Sequence, residues 1–382
     1  MKNEEYKRCS VGLWDTTIPN IKFDSKGISN YYETIRSMEK EFPRGKIGQN
    51  RWSDIVDEIK RTGKNKKYDC IVGVSGGTDS SYILHLAKNE WNLRPLAVNL
   101  DNGMSTDIAV KNIKKVTSKL NIDLETYVID YEEVKSVLRS YIKACLPWID
   151  GPTDLAIKAT LYNIASKEGV KYILSGDDFR SEGKQPHHWT YTDAKQLKFI
   201  VKKFENIKLK SFPFMTLRNL FYFNAIKRIK VFKPFYFLDY QKQKAQFFLE
   251  NEYNWEYYGG HHHENLFTRF AIAFWQFEKF NIDKRIITLS SQVASKSISR
   301  QDAINELESP PLDKNKSKID KELVLKKIDM SIDEFEKIWR SKNNSFDQYP
   351  SYFPFILKNK KMINLFSKYF IPTKSKILFT KE

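Results

Sequence analysis

At 382 residues, with 41% hydrophobic and 29% charged residues, the chain has the make-up of a globular protein with a large core, and length alone allows two or three domains. Its 64 Lys and Arg against 47 Asp and Glu point to an anionic partner, and charge alone does not choose among nucleic acid, nucleotide-sugar, membrane surface and acidic protein. Three cysteines, Cys9, Cys70 and Cys145, exclude a paired disulfide framework, the Met1 to Lys7 start lacks an apolar signal core, and no charge-free run reaches membrane-spanning length, so a cytoplasmic protein is expected.

Residues 1 to about 50 read as irregular and then helical, with a short strand at Ile21 to Phe23 and a turn at Gly27. An amphipathic helix over Trp52 to Ile59 leads into a turn at Gly63 to Lys67. From Tyr68 the periodicity becomes βαβ. Strands are predicted at Cys70 to Val74, Pro95 to Leu100, Leu124 to Ile129 and Lys171 to Leu174. Between them lie helices after Ser80, over Thr106 to Leu120, over Tyr131 to Cys145, and from Pro152 to about Lys167. Apolar strands alternating with helices define an α/β fold with a parallel, doubly wound sheet. Ligands in such sheets sit beyond the carboxyl ends of the strands. The turn at Ser75, the Asn99 to Gly103 segment and the Gly176 to Arg180 segment should therefore meet in space.

The sharpest local signal is Ser75-Gly76-Gly77-Thr78-Asp79-Ser80, a turn between the first strand and its helix. Gly76 and Gly77 permit positive φ and close ligand approach, while Ser75 and Ser80 add hydroxyl donors. The helix N-terminus supplies partial positive charge. Asp79 would repel a bare anion, so it binds the Mg²⁺ that accompanies a nucleotide or holds the loop's own amides. The cradle from Val74 to Ser80 thus expects a metal-bound polyphosphate. Its spacing is not that of a Walker loop. Asn99, Leu100 and Asp101, with Asn102, either meet ribose or base or cap their own loop. Asp177 and Asp178 beside Gly176 either hold Mg²⁺ or are solvated turn residues.

Between Lys195 and Lys244, thirteen Lys or Arg face only Glu205 and Asp239, interleaved with Phe and Tyr. A single-strand nucleic-acid groove has this look. The preferred reading is plainer: helices such as Thr216 to Arg228 and Asp239 to Glu250, with the aromatics as core and the lysines in water. Next, Gly259-Gly260-His261-His262-His263-Glu264 opens a helix with a dense polar cluster, suited to acid/base work or, with His187 and His188, to a metal. A helix starts near Ser299, and a capping box at Ser331 opens another reaching Arg340. The tail from Lys358 is again basic and aromatic.

The Ser75 to Ser80 hexapeptide resembles the SGGxDS pyrophosphate loop of the N-type ATP pyrophosphatases, which cleave ATP between its α and β phosphates. With Tyr258-Gly259-Gly260-His261-His262-His263-Glu264-Asn265-Leu266-Phe267-Thr268-Arg269-Phe270 and Ile282-Asp283-Lys284-Arg285, the chain resembles the N-acetyl sugar amidotransferases of the WbpG and PseA group over residues 6 to 311. That resemblance implies a sheet of the adenine-nucleotide alpha-hydrolase (HUP) type at 68–182. An irregular and helical extension at 1–67 precedes it, and a mostly helical substrate and partner region at 183–382 follows. It implies conversion of an acetamido to an acetamidino group on a sugar, often a nucleotide-sugar, in lipopolysaccharide, O-antigen or flagellar glycan biosynthesis. ATP and Mg²⁺ are the implied cofactors. His262, His263 or Glu264 is the implied base, and Asp79, Arg269 and Lys284 complete the implied catalytic set, with Asp79 and Asp177 on the metal. Ammonia is expected from HisH-like glutaminase and HisF-like cyclase-type subunits resembling those of imidazole glycerol phosphate synthase, since Lys2 leaves no N-terminal cysteine nucleophile.

Two departures stand out. Where the group carries two Cys-x-x-Cys pairs suited to zinc, this chain reads Tyr6, Cys9, Ser29 and Tyr32, and one thiolate does not make a tetrahedral site. Where related loops carry Lys, it has Thr78, so the loop's positive charge must come from elsewhere. Two other functional classes remain open. One is a tRNA-modifying enzyme that adenylates a base before lysine or sulfur transfer, and the other a non-catalytic ATP-binding module.

Overall fold

Five strands form one fully parallel sheet in the order β3-β2-β1-β4-β5, with β1 at Cys70–Gly73, β2 at Pro95–Asp101, β3 at Leu124–Val128, β4 at Tyr172–Leu174 and β5 at Lys230–Phe232. The computed structural model describes residues 5–260, 262–363 and 365; His261 and most of the basic tail lie outside them. Helices flank the sheet, which gives the doubly wound α/β architecture expected from the βαβ pattern. Strand β1 is buried because Cys70, Ile71 and Val72 are apolar on both faces. The Asp107–Leu120 helix starts where the Thr106 hydroxyl accepts the Ala109 N–H, and ends at Asn121, which takes φ +50°.

β5 departs from expectation. The anticipated Thr216 to Arg228 helix is only Leu217–Phe221 followed by a wider turn over Tyr222–Ile226. Arg228 then takes φ +55°, which ends the helical run, and the chain enters the sheet at Lys230. A boundary at 183 therefore does not separate the sheet from the later chain. The 1–67 extension is equally shared: Trp14, Met38, Trp52, Phe235, Tyr240 and Trp255 pack in one core with Val72 and Val74. Ile21 to Phe23 makes only an isolated bridge from Phe23 to Ser29.

At the four positions noted above, Tyr6 donates to Asp15 at 2.9 Å, and the Cys9 sulfur accepts the Ser29 N–H at 3.3 Å. Ser29 in turn caps the Asn30–Glu41 helix, and Tyr32 packs edge-on to Trp14. All three cysteines are buried and unpaired. Among the described residues no helix is long and apolar enough to cross a membrane.

Just past β4, Arg180 is 4% exposed. It donates to the Phe42 and Tyr236 carbonyls at 2.7 and 3.2 Å, tying the N-terminal region and the segment after β5 to the mouth of the sheet. Burial and the like charge of Arg44 pull its pKa down to about 10, against the pull of Asp178 and Glu39. Arg180→Met strands two buried carbonyls and removes one of the two cations beside Asp178, which keeps Arg44. It is expected to cost about 3–5 kcal/mol in urea unfolding, and a loss under about 1 kcal/mol would contradict this anchoring role.

Candidate active site

The carboxyl ends of β1, β2 and β4 open into a cavity of 490 Å³, the place a parallel sheet reserves for ligands. Val74, Ser75, Gly77, Asp79 and Ser80 line it from the loop, Asn99 and Leu100 from β2, and Gly176 and Asp177 from beyond β4. His262, Glu264 and Lys284 close it from the C-terminal region.

Gly76 has φ +80°, and a Cβ there would lie 2.2 Å from the Ala109 carbonyl oxygen, so only glycine fits the turn. Its carbonyl accepts the Trp255 indole N–H at 3.0 Å and the Asn112 amide at 3.4 Å, both outside the cavity wall. Inside the loop, the Gly77 N–H reaches Ser75 Oγ and the Ser75 N–H reaches Ser80 Oγ, at 3.2 and 3.3 Å. Thr78 is fully buried, with its N–H on Tyr258 Oη at 3.4 Å, and does not line the cavity.

Asp79 is already matched. Lys242 Nζ donates to it at 2.9 Å, and Tyr240 donates to its other oxygen. Burial lowers Lys242's pKa, but Asp79 outweighs burial and keeps it cationic. Lys242 lines the cavity and supplies the charge that Thr78 does not. Asp177 is likewise paired, with Lys233 Nζ at 2.5 Å; burial raises its pKa, and Lys233 brings it below the usual carboxylate range. Each expected Mg²⁺ ligand thus has a lysine partner, and no set of three His, Cys, Asp or Glu suited to a metal occurs among the described residues. Asp79 and Asp177 would be the carboxylates nearest a nucleotide-bound Mg²⁺, and as arranged each is held by a lysine.

The 262–266 segment is stitched to the loop after β2. Thr106 N–H donates to the Glu264 carbonyl and Leu266 N–H to the Met104 carbonyl, at 2.9 and 2.8 Å. Glu264 then accepts Ser75 Oγ at 3.3 Å, with His262 Nδ1 at 3.8 Å. Burial raises the Glu264 carboxyl's pKa, His262 outweighs it, and the net shift is downward. Glu264 holds the loop and is a weak base.

Several expected site residues point elsewhere. His263 is 8% exposed and off the cavity wall. Burial first, then Arg269 and Lys316, pull its pKa down to about 4, so it is neutral. Arg269 makes a two-pronged pair with Asp320, at 2.6 and 2.7 Å, and braces the His263 carbonyl. Asp178 pairs with Arg44 at 3.1 Å behind the wall. Asp101 accepts the Gly103 N–H at 2.8 Å and caps its own loop.

Sequence reasoning missed the far wall. Asp150, the residue before the Gly151–Lys167 helix, is 2% exposed and accepts the Thr268 hydroxyl at 2.6 Å on one oxygen, while the other has no partner. Asp154, one turn on, accepts the Trp148 indole N–H at 2.8 Å, and Lys284 Nζ sits 4.1 Å above the Trp148 ring. Burial and then Asp154's charge push Asp150 up to about 7. Asp154 is shifted upward too, chiefly by the surrounding protein, although it faces the open cavity, where water screens the shift. The one local signal was an Asp preceding a Gly-Pro helix start.

Residues 68–177 match the family model for asparagine synthase, and residues 264–362 match that for the C-terminal domain of WbpG-like LPS biosynthesis proteins. Two curated relatives come from Methanocaldococcus jannaschii. Uncharacterized protein MJ1599 is 29% identical over 126 residues, covering 33% of this chain and 43% of that protein. Uncharacterized protein MJ1638 is 28% identical over 121 residues, covering 31% and 44%. The matches span less than half the length of either. Among solved structures, the NH3-dependent NAD synthetase of Campylobacter jejuni is similar at 18% identity and TM-score 0.28, covering 42% of this chain and 73% of that one. NMN synthetase of Francisella tularensis is similar at 12% and 0.31, covering 77% and 97%. The U34-tRNA thiolase NcsA of Methanococcus maripaludis is similar at 13% and 0.33, covering 74% and 80%. The domain that carries the loop is thus similar to that of asparagine synthase. The region that begins at Glu264 is similar to the C-terminal domain of WbpG-like proteins.

Gly76→Ala is expected to weaken ATP binding by roughly tenfold or more in calorimetry, because neither the positive φ nor the Ala109 contact tolerates a Cβ. Gly45→Ala is the control: its φ is +71° but nothing lies within 4 Å, so ATP binding should be unchanged. Lys242→Met leaves Asp79 facing the phosphates without its cation. A loss of about tenfold in ATP affinity is expected, and unaltered affinity would exclude Lys242 from phosphate binding.

Proposed function

We propose that this chain converts the acetamido group of a sugar or nucleotide-sugar into an acetamidino group, using ATP and ammonia and releasing AMP and pyrophosphate, for surface polysaccharide or flagellar glycan. The observation that carries this reading is that Glu264 and Lys284 of the WbpG-like domain line the same cavity as the pyrophosphate loop.

An amide carbonyl is a poor electrophile and its oxygen a poor leaving group. Attack of the amide oxygen on the α-phosphorus gives an O-adenylated imidate and pyrophosphate; ammonia then displaces AMP. The chain's part is to hold the β and γ phosphates with loop amides, the Ser75 and Ser80 hydroxyls, the helix N-terminus and Lys242. Glu264 keeps Ser75 in place. A separate glutaminase and a cyclase-type subunit are proposed as the ammonia source. All three cysteines of this chain are buried, and burial pushes the Cys70 thiol well above its usual pKa, so none suits a glutaminase nucleophile.

Candidate acetamido-sugars incubated with ATP and ammonium should yield a product lighter by about 1 Da, the exchange of O for NH, together with AMP and pyrophosphate. ADP as the spent nucleotide, or amidine made from glutamine by the purified chain alone, would refute the scheme. Pyrophosphate release that requires tRNA would favour the tRNA-modifying alternative.

A further inference from the structure

We propose that Asp150, with Asp154 beside it, forms the ammonium-accepting subsite of this cavity and takes the proton ammonium must lose before attack; the assignment rests on the amidotransfer reading above. Of the six carboxylates that line the cavity, Asp79 is matched by Lys242, Asp177 by Lys233 from behind the wall and Glu264 by His262, while burial pushes the Glu182 carboxyl well up towards its neutral form. The remaining demand for a cation lies at Asp150 and Asp154, which share the single charge of Lys284. The subsite already accommodates an ammonium head group, since Lys284 Nζ rests on the Trp148 ring, whose indole N–H is bonded to Asp154. An unpartnered acceptor oxygen on a side chain as buried as Asp150 calls for a donor, and ammonium brings four. A sugar hydroxyl brings one donor and no charge.

The division of labour follows from exposure. Asp154 is open to the cavity and meets the arriving cation, while Asp150 is nearly closed to solvent and keeps the proton from bulk water. Ammonium gives one proton to Asp150. The freed lone pair forms the C–N bond at the imidate carbon, the C–O bond to the adenylate breaks, and its electron pair leaves with AMP. The product is the amidinium. Besides Asp154 and Lys284, the charged groups acting on the subsite are His262 and Asp177, through Asp154, and Glu182, through Lys284. With Asp150 titrating near 7, the acceptor form is present above that pH, so amidine formation should fall as pH drops through it.

The test is carboxyl NMR of the full chain labelled with ¹³C-aspartate, titrated with ammonium chloride against sodium and potassium chlorides. A resonance absent from Asp150→Asn should titrate near 7 and move with ammonium only. No movement, or equal movement with potassium, overturns the subsite. Thr268→Val removes one of the two hydroxyls, Thr153 being the other, that stabilise the charged form, so it should shift this titration upward; an unmoved titration also overturns the assignment. In turnover, Asp150→Asn should lower the ratio of amidine formation to ATP–pyrophosphate exchange by about tenfold and erase the acid limb, and an unchanged ratio and limb would refute proton transfer. The NMR needs no sugar, so its failure is separate from failure of the amidotransfer reading, which shows as absent amidine from the unaltered protein.

Discussion

A carbonyl directed into a phosphate site repels the ligand, and the loop's geometry depends on removing one. Gly76 does this by its positive φ, and its carbonyl accepts from Trp255 and Asn112 on the far side of the turn. Asn112 belongs to the helix after β2 and also holds the Glu256 backbone through both ends of its amide. The segment that supplies Trp255 therefore cannot shift without loosening the loop. The same run of chain then delivers Tyr258 to Thr78 and Glu264 to Ser75. The loop conformation is thus a property of the whole fold and not of its six residues alone.

Charge around the loop is arranged in the same long-range way. Asp79 is matched by Lys242 and Asp177 by Lys233, both contributed after β4 and both mostly enclosed by protein. Pairs of this kind rarely add much stability, because desolvation offsets their attraction. Their effect here is on the ligand: an ionised Asp79 left alone would oppose a polyphosphate, whereas Asp79 with Lys242 does not. The large net charge of +17 has little to do with this balance, since the cavity lining itself is rich in carboxylates. Surface lysines account for the excess.

The four predicted strands and the helices between them were legible because period and composition agree there. The units at Cys70–Gly73 and at Pro95–Asp101 bury an apolar run bounded by polar turns, whereas the edge strand β3 stays largely exposed. β5 was not legible: three residues, one of them Lys230, leave no periodicity to read. In the site, the loop and the 262–264 cluster were visible as local motifs. Lys242, Tyr240 and Trp255 were not, because they lie more than 160 residues from their loop partners and nothing near them signals the contact. Arg269 and Asp178 failed the other way, since a polar residue beside a motif is as readily a brace for it as a part of it.

In the basic and aromatic stretch between Lys195 and Lys244, Phe199, Phe221 and Tyr222 are exposed, while the rings that follow β5 face the core. Stacking of bases requires exposed ring faces. Phe235, Tyr236, Phe237 and Tyr240 are all buried, and Phe235 and Tyr240 stack on each other at 3.7 Å with planes 9° apart. That stack has a different use. It fixes the Tyr240 ring so that its hydroxyl meets Asp79, one end of the ring in the core and the other on the loop. The aromatics in this part of the stretch thus support the candidate cavity from behind, through the carboxylate they hold.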